Sequence, residues 1–330
     1  MRAVMLCGLD GPESMKTATV EAPTPTGQQI LIDVHCAGVS FPDVLQSRGQ
    51  YQLKPALPFT PGGEVAGVIR SVPAGSSFAV GDRVAAFVGI GGFAEQAVAD
   101  PEMVFPLPDQ YSFELGASLP MNMLTSHFAL TRRGHLVPGE TILVHGAGGG
   151  IGTATIYLAR RLGAHVLAVA SSQAKGAAAI SAGAHTILSA DDFLSQARQL
   201  TSGRGVDMVV DPVGGPRFTD SLRALSPEGR LLVVGFTAGQ IPEVRVNRLL
   251  LNNISVVGVG WGSFVTRNRD LPGEQWLELL ALLDAEQLSL LPLSSYPLDQ
   301  AAFAMEQLEA RMATGKMVLQ VRDGDNTGAY

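Results

Sequence analysis

Short apolar runs, alternating or β-branched, dominate the first third of the chain. Arg2–Leu6, residues 29–37, residues 64–72 and Arg83–Phe87 read as strands. Gly and Pro punctuate them at Pro23-Thr24-Pro25, Pro61-Gly62-Gly63 and Gly81-Asp82. The pattern predicts a compact, barrel-like antiparallel domain. It changes near residues 115–119. Helical spacing runs through 123–131, and Pro138-Gly139 marks a turn. From Thr141 the period alternates between strand and helix. Thr141–Val144, His165–Ala170, Val206–Asp211 and residues 229–234 read as strands, with 255–259 as a last one. Residues 151–162 and Gln173–Ser181 read as helices between them. Such alternation predicts a doubly wound parallel sheet, so the fold class is α/β. Two amphipathic helices (274–285 and 298–311) and a strand (317–321) follow, and 323–330 reads as a frayed tail.

The first βα junction carries the clearest chemistry. After Thr141-Ile142-Leu143-Val144 the chain reads His145-Gly146-Ala147-Gly148-Gly149-Gly150-Ile151-Gly152. In the G-x-G-x-x-G register the three positions are Ala147, Gly149 and Gly152. Ala147 suffices at the first if the turn there needs no positive φ. Gly149 lets the backbone approach a pyrophosphate, and Gly152 lets helix and strand pack closely. The main-chain N–H groups and the positive helix end then face a dinucleotide. NAD sites usually place a carboxylate at the end of the second strand, about 20 residues later. Here that end reads Ala170-Ser171-Ser172-Gln173-Ala174-Lys175. Two hydroxyls and a lysine suit a 2′-phosphate, which a carboxylate would repel, so NADP is expected. The alternative for Lys175 is an ordinary solvated helix face.

Composition narrows the class. The 330 residues are 46% hydrophobic and 16% charged, enough for sizeable cores. The net charge of −7 comes without a basic block, which argues against nucleic-acid binding. No stretch approaches the roughly 18 apolar residues of a membrane span, and the start has no signal-like run. The two cysteines, Cys7 and Cys36, make no disulfide framework and fit a reducing cytoplasmic setting.

An ordered set of motifs runs through nearly the whole chain. It comprises Ala37-Gly38-Val39-Ser40-Phe41-Pro42-Asp43, Pro61-Gly62-Gly63-Glu64-Val65-Ala66-Gly67-Val68 and Gly81-Asp82-Arg83-Val84. The glycine loop follows, then Val210-Asp211-Pro212-Val213-Gly214-Gly215, Gly229-Arg230-Leu231 and Gly315-Lys316-Met317-Val318-Leu319. By this set the chain resembles the medium-chain dehydrogenase/reductase superfamily, and within it the zinc-free, zeta-crystallin-like quinone oxidoreductase branch. The resemblance implies a GroES-like catalytic domain (1–118), a Rossmann NADP-binding domain (119–258), and a return to the catalytic domain (259–330). It implies an active site in the cleft between domains, NADPH as cofactor, and a homodimer or tetramer. It carries Ala147, Gly149, Gly150, Ile151 and Gly152 to the pyrophosphate. Ser171, Ser172, Lys175 and Arg311 go to the adenosine phosphate end, and Thr125, Gly235 and Phe236 to the nicotinamide end.

Zinc-dependent relatives place Cys after a Gly-Val pair and His before a Glu. Here Ser40 and Gly63 stand at those places, and neither is a good zinc ligand. The six histidines show no pairing at helical spacing. A metal-free enzyme is therefore expected. Without a Lewis acid, alcohol oxidation is disfavoured. A quinone or an α,β-unsaturated carbonyl needs less help, because hydride addition spreads the charge over a conjugated system that a few donors can stabilise. Candidate donors are Ser40 and Tyr51, with Asn122 a weaker one. Tyr51 reads equally well as a surface residue. Asp43 suits a helix cap and Glu64 a scaffold or internal network. Phe41, Leu45, Phe93 and Trp261 suit either a substrate pocket or a core. Alternatives for the whole chain are an NADPH-binding structural or regulatory protein, and a reductase of enoyl thioesters.

Overall fold

The computed structural model describes residues 1–288 and 290–322, so the 323–330 tail lies outside the described residues. Strands β1 (Arg2–Leu6), β2 (Met15–Thr19), β3 (Ile30–Val39), β4 (Glu64–Ser71), β5 (Arg83–Phe87), β6 (Gln96–Ala99) and β7 (Val104–Pro106) come first. Strands β8 (Thr141–Val144), β9 (His165–Ala170), β10 (Thr186–Ser189), β11 (Val206–Asp211), β12 (Leu225–Val233) and β13 (Ser255–Gly258) follow. Strands β14 (Leu293–Pro297) and β15 (Lys316–Gln320) close the chain. These elements form two compact units.

The first unit holds a seven-stranded sheet in the order β14-β15-β3-β4-β5-β7, with β6 also on β3. The long strand β3 makes this possible. Its first half, Ile30 to Asp33, pairs with β6, and its second, Cys36 to Val39, pairs with β15. Every pairing among β1–β7 is antiparallel, as expected. The C-terminal pair β14–β15 is parallel instead. The helix Ala301–Glu309 lies between these two strands, and a crossover of that length returns the chain in the same direction. Ala301, Ala304 and Met305 of this helix join Ile30, Val65, Phe93 and Leu319 in the buried core. Gly38 matters here. A Cβ on it would stand 2.4 Å from the Ala117 carbonyl oxygen and 2.6 Å from Glu64 Cγ. The absent side chain lets Glu64 lie flat in the interior.

The second unit is a six-stranded parallel sheet ordered β10-β9-β8-β11-β12-β13. In order of appearance this is 3-2-1-4-5-6, and the winding reverses between β8 and β11. That switch point is where open α/β sheets bind their ligands. Leu143, Leu167, Val209 and Leu231 of the central strands are fully or almost fully buried and form the core with Phe193 and Phe218.

The expected domain boundaries move. The first unit extends to Met121, whose N–H donates to Glu64 Oε2 at 2.7 Å. The chain does not return at residue 259. Residues up to Asn268 stay with the second unit, where Val259 N–H bonds the Val233 carbonyl and Phe264 packs 5.1 Å from Phe128. The return begins at Arg269–Trp276, is interrupted by Leu277–Pro292, and resumes at Leu293. Arg269 pairs with Asp100 and Glu102, and Trp276 Nε1 donates to the Pro106 carbonyl, which ties that stretch to the first unit. The helix expected over 123–131 is also modified. It runs Pro120–His127 and then widens into a π-type stretch, Phe128–Arg133.

Candidate active site

The glycine loop lies at the C-terminal end of β8, at the switch point. Its positive φ falls on Gly146 (58°), so Ala147 occupies an ordinary conformation and its methyl group is tolerated and buried. Gly149 is the N-cap of helix Gly150–Arg161 and has no capping side chain. The first N–H groups of such a helix have no acceptor within it. A Cβ on Gly152 would stand 2.2 Å from the Gly146 carbonyl oxygen, so glycine is needed for helix and loop to touch. A Cβ on Gly149 would meet only that same oxygen, at 3.4 Å. The loop is thus packed from behind and open in front, a form that fits a pyrophosphate.

Three neighbours fix this loop. Asn122 lies directly on Gly150, with its amide nitrogen 2.4 Å from where a Cβ would be. One turn on, the Ser126 hydroxyl lies 3.0 Å from Thr155 Oγ1, so this helix packs along the nucleotide helix. Thr125 is buried between them in sequence. Asn122 therefore lies against the nucleotide loop, because the helix that carries it packs there. From the helix after β9, Lys175 closes on Gly148, its Cβ 2.6 Å from a hypothetical Cβ there. Ser172 caps helix Gln173–Ser181 by accepting the Lys175 N–H at 3.3 Å. A capping hydroxyl still has its proton to donate, so the cap and a phosphate contact are compatible. Ser171 beside it is exposed.

At the end of β11, Asp211 Oδ1 accepts the N–H groups of Val213 and Gly214 at 2.8 and 2.9 Å. This fixes the turn on which Gly235 and Phe236 lean. Gly235 N–H faces the Asp211 carbonyl, and Phe236 is 36% exposed with its ring against Gly214. Under the loop, His145 is buried and donates from Nε2 to Ser221 Oγ at 2.8 Å, since that hydroxyl gives its own proton to the Arg217 carbonyl. Burial pushes its imidazole down to about 4, so it is neutral and structural.

The first unit contains a second constellation. Ser40 directly follows β3 and is the N-cap of helix Phe41–Ser47. Its N–H donates to Asp43 Oδ2 at 2.7 Å in a capping box. The Ser40 hydroxyl donates to Glu64 Oε1 at 2.8 Å and accepts from Lys316 Nζ at 2.6 Å. Lys316 also forms an ion pair with Glu64 Oε1, while Glu64 Oε2 takes the Met121 N–H. Exposures of 6% for Ser40, 0% for Glu64, 2% for Asp43 and 7% for Lys316 make this a desolvated cluster. Burial pushes the Asp43 carboxyl up to about 7. Tyr51, half-buried, is raised by burial and by the charge of Asp43.

These contacts revise the sequence reading of the donors. Ser40 does not stand alone, for it is held between an acid and a base. Glu64 forms an internal network. Lys316, to which the motif alone gives no role, carries the positive charge at the centre of it. A sequence signal existed, because Lys316 opens the apolar run Met317-Val318-Leu319, where a charge is drawn into the interior only with a partner. Phe93 and Trp261 are core residues, fully buried or nearly so. Arg311 lies just past helix Ala301–Glu309 with φ of 58°. Ser40 and Gly63 stand at the positions where the resemblance looks for zinc ligands. Gly63 offers no ligand, and the Lys316 ammonium already occupies the lone-pair side of Ser40. Among the described residues, no group of three or more His, Cys, Asp or Glu is arranged for a metal.

A switch-point glycine loop on a 3-2-1-4-5-6 sheet, joined to a β-rich unit, defines a two-domain nicotinamide-type dehydrogenase fold. Comparison with known proteins agrees. Residues 26–109 match the alcohol dehydrogenase GroES-like domain and 150–284 the family described as zinc-binding dehydrogenase. Quinone oxidoreductase-like protein 2 of Rattus norvegicus is 36% identical over 91% of this chain and 87% of its own. A probable oxidoreductase from Mycobacterium abscessus superposes with a TM-score of 0.86 at 41% identity, over 97% of this chain and 98% of that one. The quinone oxidoreductase from Thermus thermophilus, solved also with NADPH, gives 0.81 at 31% identity over 97% and 100%. The chain belongs to the quinone oxidoreductase branch of the medium-chain dehydrogenase/reductase superfamily.

Proposed function

We propose that this chain reduces quinones or α,β-unsaturated carbonyls with NADPH and needs no zinc. The observation that carries the reading is the Lys316 ammonium bonded to Ser40 where zinc-dependent relatives place a metal ligand. A fixed cation and its hydrogen-bonded hydroxyl suit an oxyanion, and they disfavour a second cation. NADPH supplies the hydride. Ala147, Gly149, Gly150, Ile151 and Gly152 hold its pyrophosphate, with Asn122 bracing the loop. Ser171, Ser172, Lys175 and Arg311 hold the 2′-phosphate, and Thr125, Gly235 and Phe236 border the nicotinamide. Ser40 and Tyr51 serve the substrate oxygen. The Thermus thermophilus quinone oxidoreductase and its NADPH complex support both cofactor and substrate class.

The protein is read as a cytoplasmic homodimer. Its cysteines are free, and among the described residues no helix is long and apolar enough to cross a membrane. Among the described residues β13 pairs only with β12. In the connection from β12 to β13, Ile241, Val246, Leu250 and Leu251 are exposed, and with the open edge they suit a second copy. The test is NADPH oxidation with naphthoquinone, phenanthrenequinone and small enones, on protein freed of zinc by chelation. Turnover that survives chelation supports the reading. Turnover with none of these acceptors, or only after zinc is restored, sinks it.

A further inference from the structure

We infer that Lys316, held by Glu64, supplies the proton that Ser40 gives to the substrate oxygen, and that this relay is required for enones far more than for quinones. The inference rests on the proposed reductase reading.

The hydrogen bonds give the relay its direction. Lys316 Nζ donates to Ser40 Oγ, and Ser40 donates to Glu64 Oε1. Glu64 Oε1 also accepts from Lys316, and Oε2 accepts from Met121 N–H. If the Ser40 hydroxyl turns its proton toward a ligand, no atom of Glu64 loses its last partner. The turn therefore leaves no buried acceptor orphaned, which is the usual cost of such a switch. The Ser40 backbone stays fixed meanwhile by Asp43. Three charged groups surround Ser40: Glu64 accepts its proton, Asp43 holds its backbone N–H, and Lys316 donates to its oxygen. Lys316 is thus the one of the three already aligned to replace a proton that Ser40 gives away.

The electron-poor carbon of the acceptor takes a hydride from NADPH, and the electron pair it displaces moves to the conjugated oxygen. That oxygen forms an O–H bond with the Ser40 proton as the Ser40 O–H bond breaks. Ser40 takes a proton from Lys316 Nζ, and water restores the lysine after product leaves. Overall, NADPH and one proton are consumed per acceptor. For an enone the oxygen belongs to an enolate, too basic to leave unprotonated. For a quinone the ring C–H proton of the adduct shifts to oxygen through solvent, and the resulting hydroquinone anion is a phenolate that solvent can protonate after release. The two classes thus differ in how far they depend on the relay.

The test compares the enzyme with Ser40→Ala and Lys316→Arg. Arginine keeps the charge but does not release its proton. General acids contribute about 10²–10⁴-fold. Both variants should lower kcat for enones by about 100-fold or more and for naphthoquinone by less than about tenfold. A purely structural role would lower both classes together, and equal losses, or no loss, overturn the inference. A second readout uses the protein without cofactor. The spectral shift of bound 4-nitrophenolate should saturate, weaken at least tenfold in Ser40→Ala, and persist in Lys316→Arg. An unchanged affinity in Ser40→Ala overturns the inference. If the unmodified enzyme reduces neither acceptor, the reductase reading fails by itself, and the nitrophenolate titration still decides whether Ser40 and Lys316 form an oxyanion donor.

Discussion

Asn122 lies on Gly150 so closely that a methyl group on the glycine would stand 2.4 Å from the amide nitrogen. The first helical position after the nucleotide loop is therefore fixed by a side chain from the preceding helix. Gly150→Ala should displace Asn122 and destabilise the protein by about 1–3 kcal/mol, the usual cost of overpacking. It should also weaken NADPH binding, because the loop amides move with the helix. Asn122→Ala restores the room, so the double variant should recover most of the stability. Denaturant melts and calorimetric titration with NADPH measure both effects.

Ser172 has two tasks that substitution can separate. It caps helix Gln173–Ser181 and presents its hydroxyl beside Lys175. Ser172→Ala should lose about 1 kcal/mol through the missing cap. Ser172→Asp keeps a capping oxygen and should hold its stability. Its charge repels the 2′-phosphate, so NADPH affinity should fall at least tenfold while NADH affinity stays level or rises. A loss of both nucleotides alike would mean that Ser172 only shapes the helix.

Several elements are legible because sequence-local chemistry determines them. Arg2–Leu6, Thr141–Val144, His165–Ala170 and Val206–Asp211 are apolar runs stopped by Gly, Pro or a polar turn, and they form with the expected bounds. Met15–Thr19 and Leu293–Pro297 are not legible. Their residues are half or fully exposed, so their partners rather than their own periodicity make them strands. The nucleotide loop can be read because its parts are neighbours in sequence. The Ser40–Lys316 contact spans 276 positions, and only the β3–β15 pairing brings the two residues together. For the same reason sequence alone places Asn122 with the substrate. Its residue type suits a donor, while its place against Gly150 follows from the packing of its helix on the nucleotide helix.

His145 gives the fold a pH dependence of known sign. Burial holds its folded-state value at about 4 against an ordinary 6.5. Between those values the unfolded chain binds the extra proton and the folded one does not. Its contribution is present above pH 6.5 and is lost as pH falls toward 4, amounting to roughly 3 kcal/mol across the window. The buried Asp43, raised to about 7, acts in the opposite sense, since its folded state holds the proton longer. Comparing the unmodified protein with His145→Asn at each pH cancels the Asp43 contribution. The gap between the two urea midpoints should narrow steadily from pH 7 to pH 5. A gap independent of pH would mean that His145 titrates normally in the folded protein.

Arg311 sits where a helix usually ends in glycine. Its φ is 58°, and the chain closes the helix through Arg311 N–H to Leu308 and Met312 N–H to Gln307 at 3.0 and 2.9 Å. A side chain in this left-handed region costs about 1–2 kcal/mol, and glycine avoids that cost. Glycine also has more freedom to lose on folding, which offsets part of the gain. Arg311→Gly should therefore leave the protein as stable or up to about 1 kcal/mol more stable. If the arginine serves the 2′-phosphate, the same variant should bind NADPH at least tenfold more weakly and NADH with little change. Stability and cofactor preference then move in opposite directions, which a packing role for Arg311 does not produce. Melting curves without nucleotide, with competition titrations of NADPH against NADH, separate the two. Reduced stability with an unaltered preference would remove Arg311 from the cofactor site.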